Sequence, residues 1–348
     1  MLPYGALGLA ANGTRVVTLC TSLSTGWLAS TPHVGSMAPP AEQWHSQVLQ
    51  QWTWIRKQTE RWKPTLGMTL SSPRLQAKRL SRRFRYAKTH RETEYAPDLG
   101  FQTLILCPRI FDFPKQRLPS RFHFVQPCLD LDRHPANETI PSSKSAPHGA
   151  SDNAEFPVVI CSMGSIYGSE VVETPEAQTV LRFLKNAIVA FSRHPQYRFL
   201  VRIGRLNRSD LGTIPGNVTL VPELDQIAAL RTAALMVTHG GLNSVKECIY
   251  FQVPMLVCPV RDDQPGNAAR VAYHGLGENL PIDAATPERI SEKLSSLIHS
   301  SLCRDRLKSM SQRFKQEELS ASAVTTLERI VHKTQNEISP PLYQTLHN

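Results

Sequence analysis

From residue 156 onward the chain alternates short apolar runs with amphipathic stretches. The run VVICSM (158–163) is continuously apolar and stops at Gly164, the pattern of a strand buried on both faces. YRFLVRIG (197–204), NVTLV (217–221), LMVTH (235–239) and PMLVCPV (254–260) repeat that pattern. Between them lie stretches with helical spacing: PEAQTVLRFLKNAIVAFSR (175–193), IAALRTA (227–233), LNSVKECIYF (242–251) and NAARVAYHG (267–275). Thr174-Pro175 and Thr286-Pro287 each set a capping side chain before a proline at the first helical position, so a helix is predicted to start at both. Residues 308–332 supply one or two more. This alternation predicts βαβ units and a parallel, doubly wound sheet.

Residues 1–155 are less regular. An amphipathic helix is expected over His45 to Lys63, a buried strand over 101–107 and a short strand around His123 to Val125. The segment 129–155 is polar and rich in Pro, Ser and Ala, as linkers are. The expected organisation is an N-terminal domain over 1–130, a linker over 131–155, a second domain over 156–335 and a tail over 336–348.

Composition narrows the class. Apolar residues at 41% and charged residues at 20% give an ordinary globular balance, which excludes a disordered chain. No run approaches the roughly 18 apolar residues that a membrane-spanning helix needs. The N-terminus has no basic region, and Arg15 interrupts its apolar run, so it does not read as a secretory signal. The seven cysteines are scattered and form no CxxC pair, which argues against a disulfide framework or a cysteine zinc site. A reducing, cytoplasmic setting is expected. The net charge of +10 permits an acidic partner without choosing one. Residues 74–91 hold eight Lys and Arg; this run reads as a solvated helix face or a peripheral contact with anionic membrane. No nucleic-acid motif accompanies it, and no nucleic-acid partner is expected.

The candidate chemistry lies at two strand ends. In THGGLNSVKE (238–247) a strand delivers His239 to its carboxyl end, and Gly240 and Gly241 permit a tight turn and close approach of a ligand. A helix then starts near Leu242, and its first amides make an anion site suited to phosphate. Asn243 and Ser244 add donors, and Glu247, a turn further on, suits a ribose-like diol better than a phosphate. In RDDQPGN (261–267), Asp263 and Gln264 are expected in a loop after a strand, where an acid beside an amide matches a polyhydroxylated ligand. The competing readings are a core histidine for His239 and a solvated loop for Asp263-Gln264.

The stretch THGGLNSVKE…VPMLVCPVRDDQPGNAARV…GLG resembles the donor-sugar signature of the UDP-glycosyltransferase family, in its macrolide and carotenoid glycosyltransferase-like branch. SMGS (162–165) is similar to the family's Gly-Ser loop, and LPSRFHFVQP (118–127) to the segment that closes its N-terminal domain. The resemblance implies an α/β fold of GT-B type: a complete C-terminal Rossmann-like domain with a parallel sheet, and an incomplete N-terminal Rossmann-like domain. It implies that His239, Asn243 and Ser244, with Ser165, hold the diphosphate of a UDP-sugar, that Glu247 binds the ribose, that Asp263 and Gln264 bind the sugar, and that Gln226 caps the base. No metal is expected. The implied activity is transfer of a hexose to a hydroxyl of a lipophilic small molecule. Two departures stand out: Gln252 occupies the family's glycine position before Val253-Pro254, and Asp225-Gln226 replaces a Pro-Gln pair. No residue matches the family's catalytic histidine; His33 and His45 have no strand before them and are not assigned that role. The chain is therefore expected to be N-terminally truncated and to transfer sugar poorly. The alternative is a non-catalytic sugar-nucleotide-binding remnant.

Overall fold

The computed structural model describes residues 17–20, 102–114, 120–133, 156–164 and 174–332. The predicted helix over His45 to Lys63, the basic run 74–91, His33, His45 and Ser165 lie outside the described residues. By contact the chain forms two compact units, one from Met1–Gln126 with Ala321–Asn348, the other from Pro127–Ser320.

The described part of the first unit is a three-stranded parallel sheet in the order β1-β2-β3, comprising Val17–Cys20, Gln102–Ile105 and Phe122–Phe124. Leu104 and Ile105 are buried in its middle strand. Strand β1 corrects the sequence reading, which found no strand ahead of His33; its four residues, VTLC, are too few to give a periodic signal. The final helix, α7 (Ser322–His332), also belongs to this unit, whereas composition had grouped it with the domain ending at 335. Gln126 explains the difference. Its Oε1 accepts from Ala323 N at 2.6 Å and from Ser322 Oγ at 3.1 Å, and its own N–H donates to Ser322 Oγ at 2.9 Å.

The second unit is a six-stranded parallel sheet in the order β6-β5-β4-β7-β8-β9, with β4 Val158–Ser162, β5 Arg198–Arg202, β6 Val218–Val221, β7 Ala233–Thr238, β8 Met255–Val257 and β9 Gly277–Asn279. Its helices are α1 Pro175–Ser192, α2 Gln226–Leu230, α3 Leu242–Phe251, α4 Gln264–His274, α5 Pro287–His299 and α6 Ser301–Leu319. The central strands are the continuously apolar ones: β4, β7 and β8 bury nearly every residue because helices cover both faces. Towards the margin, β5 alternates buried and more exposed positions.

The helices begin where their caps dictate. Thr174 Oγ1 accepts from Ala177 N at 3.2 Å, and Thr286 Oγ1 from Arg289 N at 3.4 Å. Helix α1 then buries Val180, Phe183, Leu184, Ala187, Ile188 and Phe191 along one stripe, and Phe191 stacks on Phe199 of β5 with centroids 4.1 Å apart. Helix α4 starts at Gln264, so Gln264 is its first residue and Asp263 its N-cap, not loop residues as expected; Pro265 in the first turn explains the early start.

The residues leading into the expected linker are held by specific contacts. Lys246 Nζ donates to Pro127 O at 2.6 Å, and Leu129 N to Glu318 Oε1 at 3.4 Å. Strand order reverses between β4 and β7. In open parallel sheets the crevice beyond the carboxyl ends of such a pair is where ligands bind.

Candidate functional site

Gly164 follows β4, and His239 follows β7, so the two meet at the reversal point. Gly164 has φ +88°, and a Cβ there would lie 2.7 Å from both Cε1 and Nε2 of the His239 ring. A Cβ on Gly241 would approach the same Nε2 to 2.7 Å. The ring is thus clasped between two backbones, and no larger residue fits at either position. A Cβ on Gly240, at φ +85°, would lie 2.5 Å from Val257 Cγ1 of β8, and the Gly240 N–H donates to the buried Thr238 Oγ1 at 3.3 Å.

Burial pushes the His239 imidazole down to about 4, against a smaller opposing pull from Asp262. At neutral pH the ring is uncharged and offers an N–H, not a positive charge. Beside it, α3 starts at Leu242 with Gly241 as N-cap and no side chain capping its first amides. Those amides and the helix dipole present a concentrated donor site to an anion.

The Asp263-Gln264 segment packs against the same turn. Asn267 Nδ2 donates to Gly240 O at 2.9 Å and to Asp263 Oδ2 at 3.1 Å. Gln264 is 5% exposed, and its Oε1 accepts from Val260 N at 2.9 Å and Arg261 N at 3.1 Å. Its carbonyl oxygen therefore braces the loop.

A second cluster forms one turn along α3. Gln226, first residue of α2, donates through Nε2 to Glu247 Oε2 at 2.5 Å and to Ser244 Oγ at 3.2 Å. Glu247 is 2% exposed, and its Oε1 lies 2.6 Å from Arg133 Nη1. Asn243 is exposed on the first turn of α3.

The described candidates thus fall into two adjoining groups. His239, Gly240, Gly241, Asp263 and Gln264 surround the β7 turn; Gln226, Ser244 and Glu247 form a hydrogen-bonded set behind it. Four neighbours were not assigned from sequence. Asn267 carries the contact between the two loops, and its Oδ1 is buried without a partner among the described residues. Thr238 holds the Gly240 amide. Arg202 donates to Gly164 O at 2.8 Å, pairs with Glu223 at 3.2 Å, and helps line a small, open cleft with Met163, Gly164, Gly204 and Leu206. Arg133 pairs with Glu247 across more than a hundred residues. Asn267, inside the RDDQPGN motif, and Thr238, at the head of THGGLNSVKE, had a local sequence signal; Arg202 and Arg133 had none.

The model of the erythromycin biosynthesis protein CIII-like C-terminal domain matches residues 197–332. Zeaxanthin glucosyltransferase of Pantoea ananas is 30% identical over 195 residues, covering 56% of this chain and 40% of that protein. NDP-glycosyltransferase YjiC of Bacillus subtilis (strain 168) is 25% identical over 256 residues, covering 71% of this chain and 60% of that one. The chain spans about half the length of these curated relatives. In fold it is similar to CalG4, the calicheamicin glycosyltransferase, with a TM-score of 0.59 at 20% identity, over 95% of this chain and 71% of that one. Residues 197–332 thus match a glycosyltransferase C-terminal domain, the chain is similar to glycosyltransferases over its matched length, and its parallel sheets share the GT-B fold.

Proposed function

We propose that the crevice between β4 and β7 binds the diphosphate of a nucleotide sugar, and that the chain serves a glycosyltransferase reaction moving a hexose from a UDP-sugar to a hydroxyl of a lipophilic small molecule. One observation carries this reading. An uncapped helix N-terminus, two glycines and a clasped, uncharged imidazole converge at the reversal point of a parallel sheet.

In this role the first amides of α3 and the His239 N–H donate to the phosphate oxygens, with Asn243 and Ser244 alongside. These donors stabilise the charge that builds on the nucleoside diphosphate as the glycosidic bond breaks. Glu247 accepts hydroxyl hydrogens from the ribose. Asp263 and the amide of Gln264 face the sugar, and Gln226 lies toward the base. The donors are all protein groups, so the reading requires no metal. Transfer also needs an activated acceptor hydroxyl. No residue matches the family's catalytic histidine by motif, and on that ground this chain is expected to bind donor well and to transfer sugar weakly. The contact with anionic membrane rests only on the charge of 74–91.

Calorimetry with UDP and UDP-glucose on the wild type and on His239→Ala tests the site. Loss of at least about tenfold in affinity for both ligands is expected, the scale of a lost hydrogen bond to a charged group. Equal binding by the two proteins removes His239 from the site and the reading with it.

A further inference from the structure

Glu247 is offered above as an acceptor for hydroxyls, yet in this structure its carboxylate is already covered. At 2% exposure it has one oxygen on Arg133 Nη1, at 2.6 Å, and the other on Gln226 Nε2, at 2.5 Å. The two partners are held differently. Gln226 opens a helix and shares its amide with Ser244 Oγ, so it is fixed from two sides and can remain while a further hydroxyl arrives. Arg133 belongs to no helix or strand, and its side chain is 40% exposed. The segment leading to it is fastened upstream, by Lys246 on Pro127 O and by Glu318 on Leu129 N. Those fastenings bring the guanidinium back to Glu247 while leaving its outer side in water.

We propose that Arg133 is a gate on the diol subsite: it occupies the accepting edge of Glu247 in the ligand-free chain and is displaced by the ribose hydroxyls of an arriving nucleotide. The exchange replaces one charge-assisted pair with hydroxyl hydrogen bonds to the same carboxylate. Arg133 thereby lowers affinity for a ligand whose ribose hydroxyls must displace it, and leaves a ligand without those hydroxyls unaffected. For such a ligand with ribose hydroxyls the apparent affinity is the intrinsic affinity scaled by the fraction of molecules in which the pair is open. This inference rests on the donor-site reading above, and it deepens that reading by naming what restrains the preference for a ribose-bearing ligand.

The test uses the full chain, UDP and a dideoxy analogue of UDP that lacks both ribose hydroxyls. Affinities are measured by calorimetry for the wild type, Arg133→Gln and Arg133→Lys. Arg133→Gln keeps most of the side chain's length and removes its charge, and a matching thermal melt checks that it folds. Opening the gate is expected to tighten UDP about three- to tenfold in Arg133→Gln, with Arg133→Lys between it and wild type. The dideoxy analogue is expected to change less than about twofold, because it has no hydroxyls with which to use the exposed carboxylate. Unchanged or weaker UDP binding in Arg133→Gln overturns the gate, as does equal tightening of both ligands. If UDP binds wild type and is lost in His239→Ala while Arg133→Gln has no effect, the gate fails and the donor site stands. If UDP binds none of the proteins, the donor site and the gate fall together.

Discussion

Gly164 and His239 touch across the seam between β4 and β7, so closely that a methyl group on the glycine would sit 2.7 Å from the imidazole Nε2. Ring and backbone therefore hold each other in place. Gly164→Ala is expected to cost about 1–3 kcal/mol of stability and to abolish measurable nucleotide binding, since either the ring or the turn must move. Gly212→Ala is the control. Gly212 also has a positive φ, +77°, but nothing stands within 4 Å of its would-be Cβ, so that variant carries backbone strain alone and leaves binding intact. Urea melts and UDP calorimetry on both variants check this.

Gln264 has a structural task separate from any sugar contact. Its Oε1 accepts two backbone N–H groups of the preceding turn. Gln264→Ala strands both donors and is expected to destabilise the protein by about 1–3 kcal/mol. Gln264→Glu keeps an acceptor for both and removes the amide N–H. It is expected to retain more stability than the alanine variant, to bind UDP like wild type and to lose affinity for UDP-glucose. Loss of UDP binding by the glutamate variant would show that the residue acts on the nucleotide instead.

Gln252 sits in the left-handed region, φ 61°, where it closes α3 with its N–H directed at Cys248 O and Ile249 O. The turn that closes the helix is therefore formed with a residue poorly suited to it. Gln252→Gly is expected to raise stability by about 1 kcal/mol, because glycine relieves the left-handed strain. Chemical denaturation reads that gain as a higher midpoint at unchanged slope.

His239 also makes a pH prediction. Its folded value, about 4, lies below the ordinary 6.5, so the unfolded chain takes up a proton there before the folded chain does. The stability this group contributes is fully present above pH 6.5 and is lost as pH falls toward 4. The loss reaches up to about 3 kcal/mol. His239→Gln removes the titration and is expected to flatten that part of the stability curve, measured by melts across the window. An unchanged slope would mean that the ring is not held neutral by burial.

The legible part of the molecule was the part whose signals are local. Thr174-Pro175 and Thr286-Pro287 fixed two helix starts because a cap and a proline act within one turn. Strands β4, β7 and β8 could be read because burial on both faces leaves an unbroken apolar run. The short VTLC strand could not be read, since four residues beside a partner some eighty positions away carry no period. The helix start at Gln264 was missed because RDDQPGN carries no apolar period, although Pro265 in the first turn was a local signal for it.

For the site itself, the sequence alone determined which residue types stand together: a histidine and two glycines at a strand end, a helix behind them, an acid and an amide after the next strand. Covalent neighbours travel together whatever the fold does. The tertiary structure decided what each group can do. It clasped His239 between two backbones, turned Gln264 onto its own loop, and brought Arg133 onto Glu247 from a distant stretch of chain. Burial and long-range pairing arise only once the sheet has stacked its strands, because desolvation and a 2.6 Å contact depend on position in space and not on order along the chain.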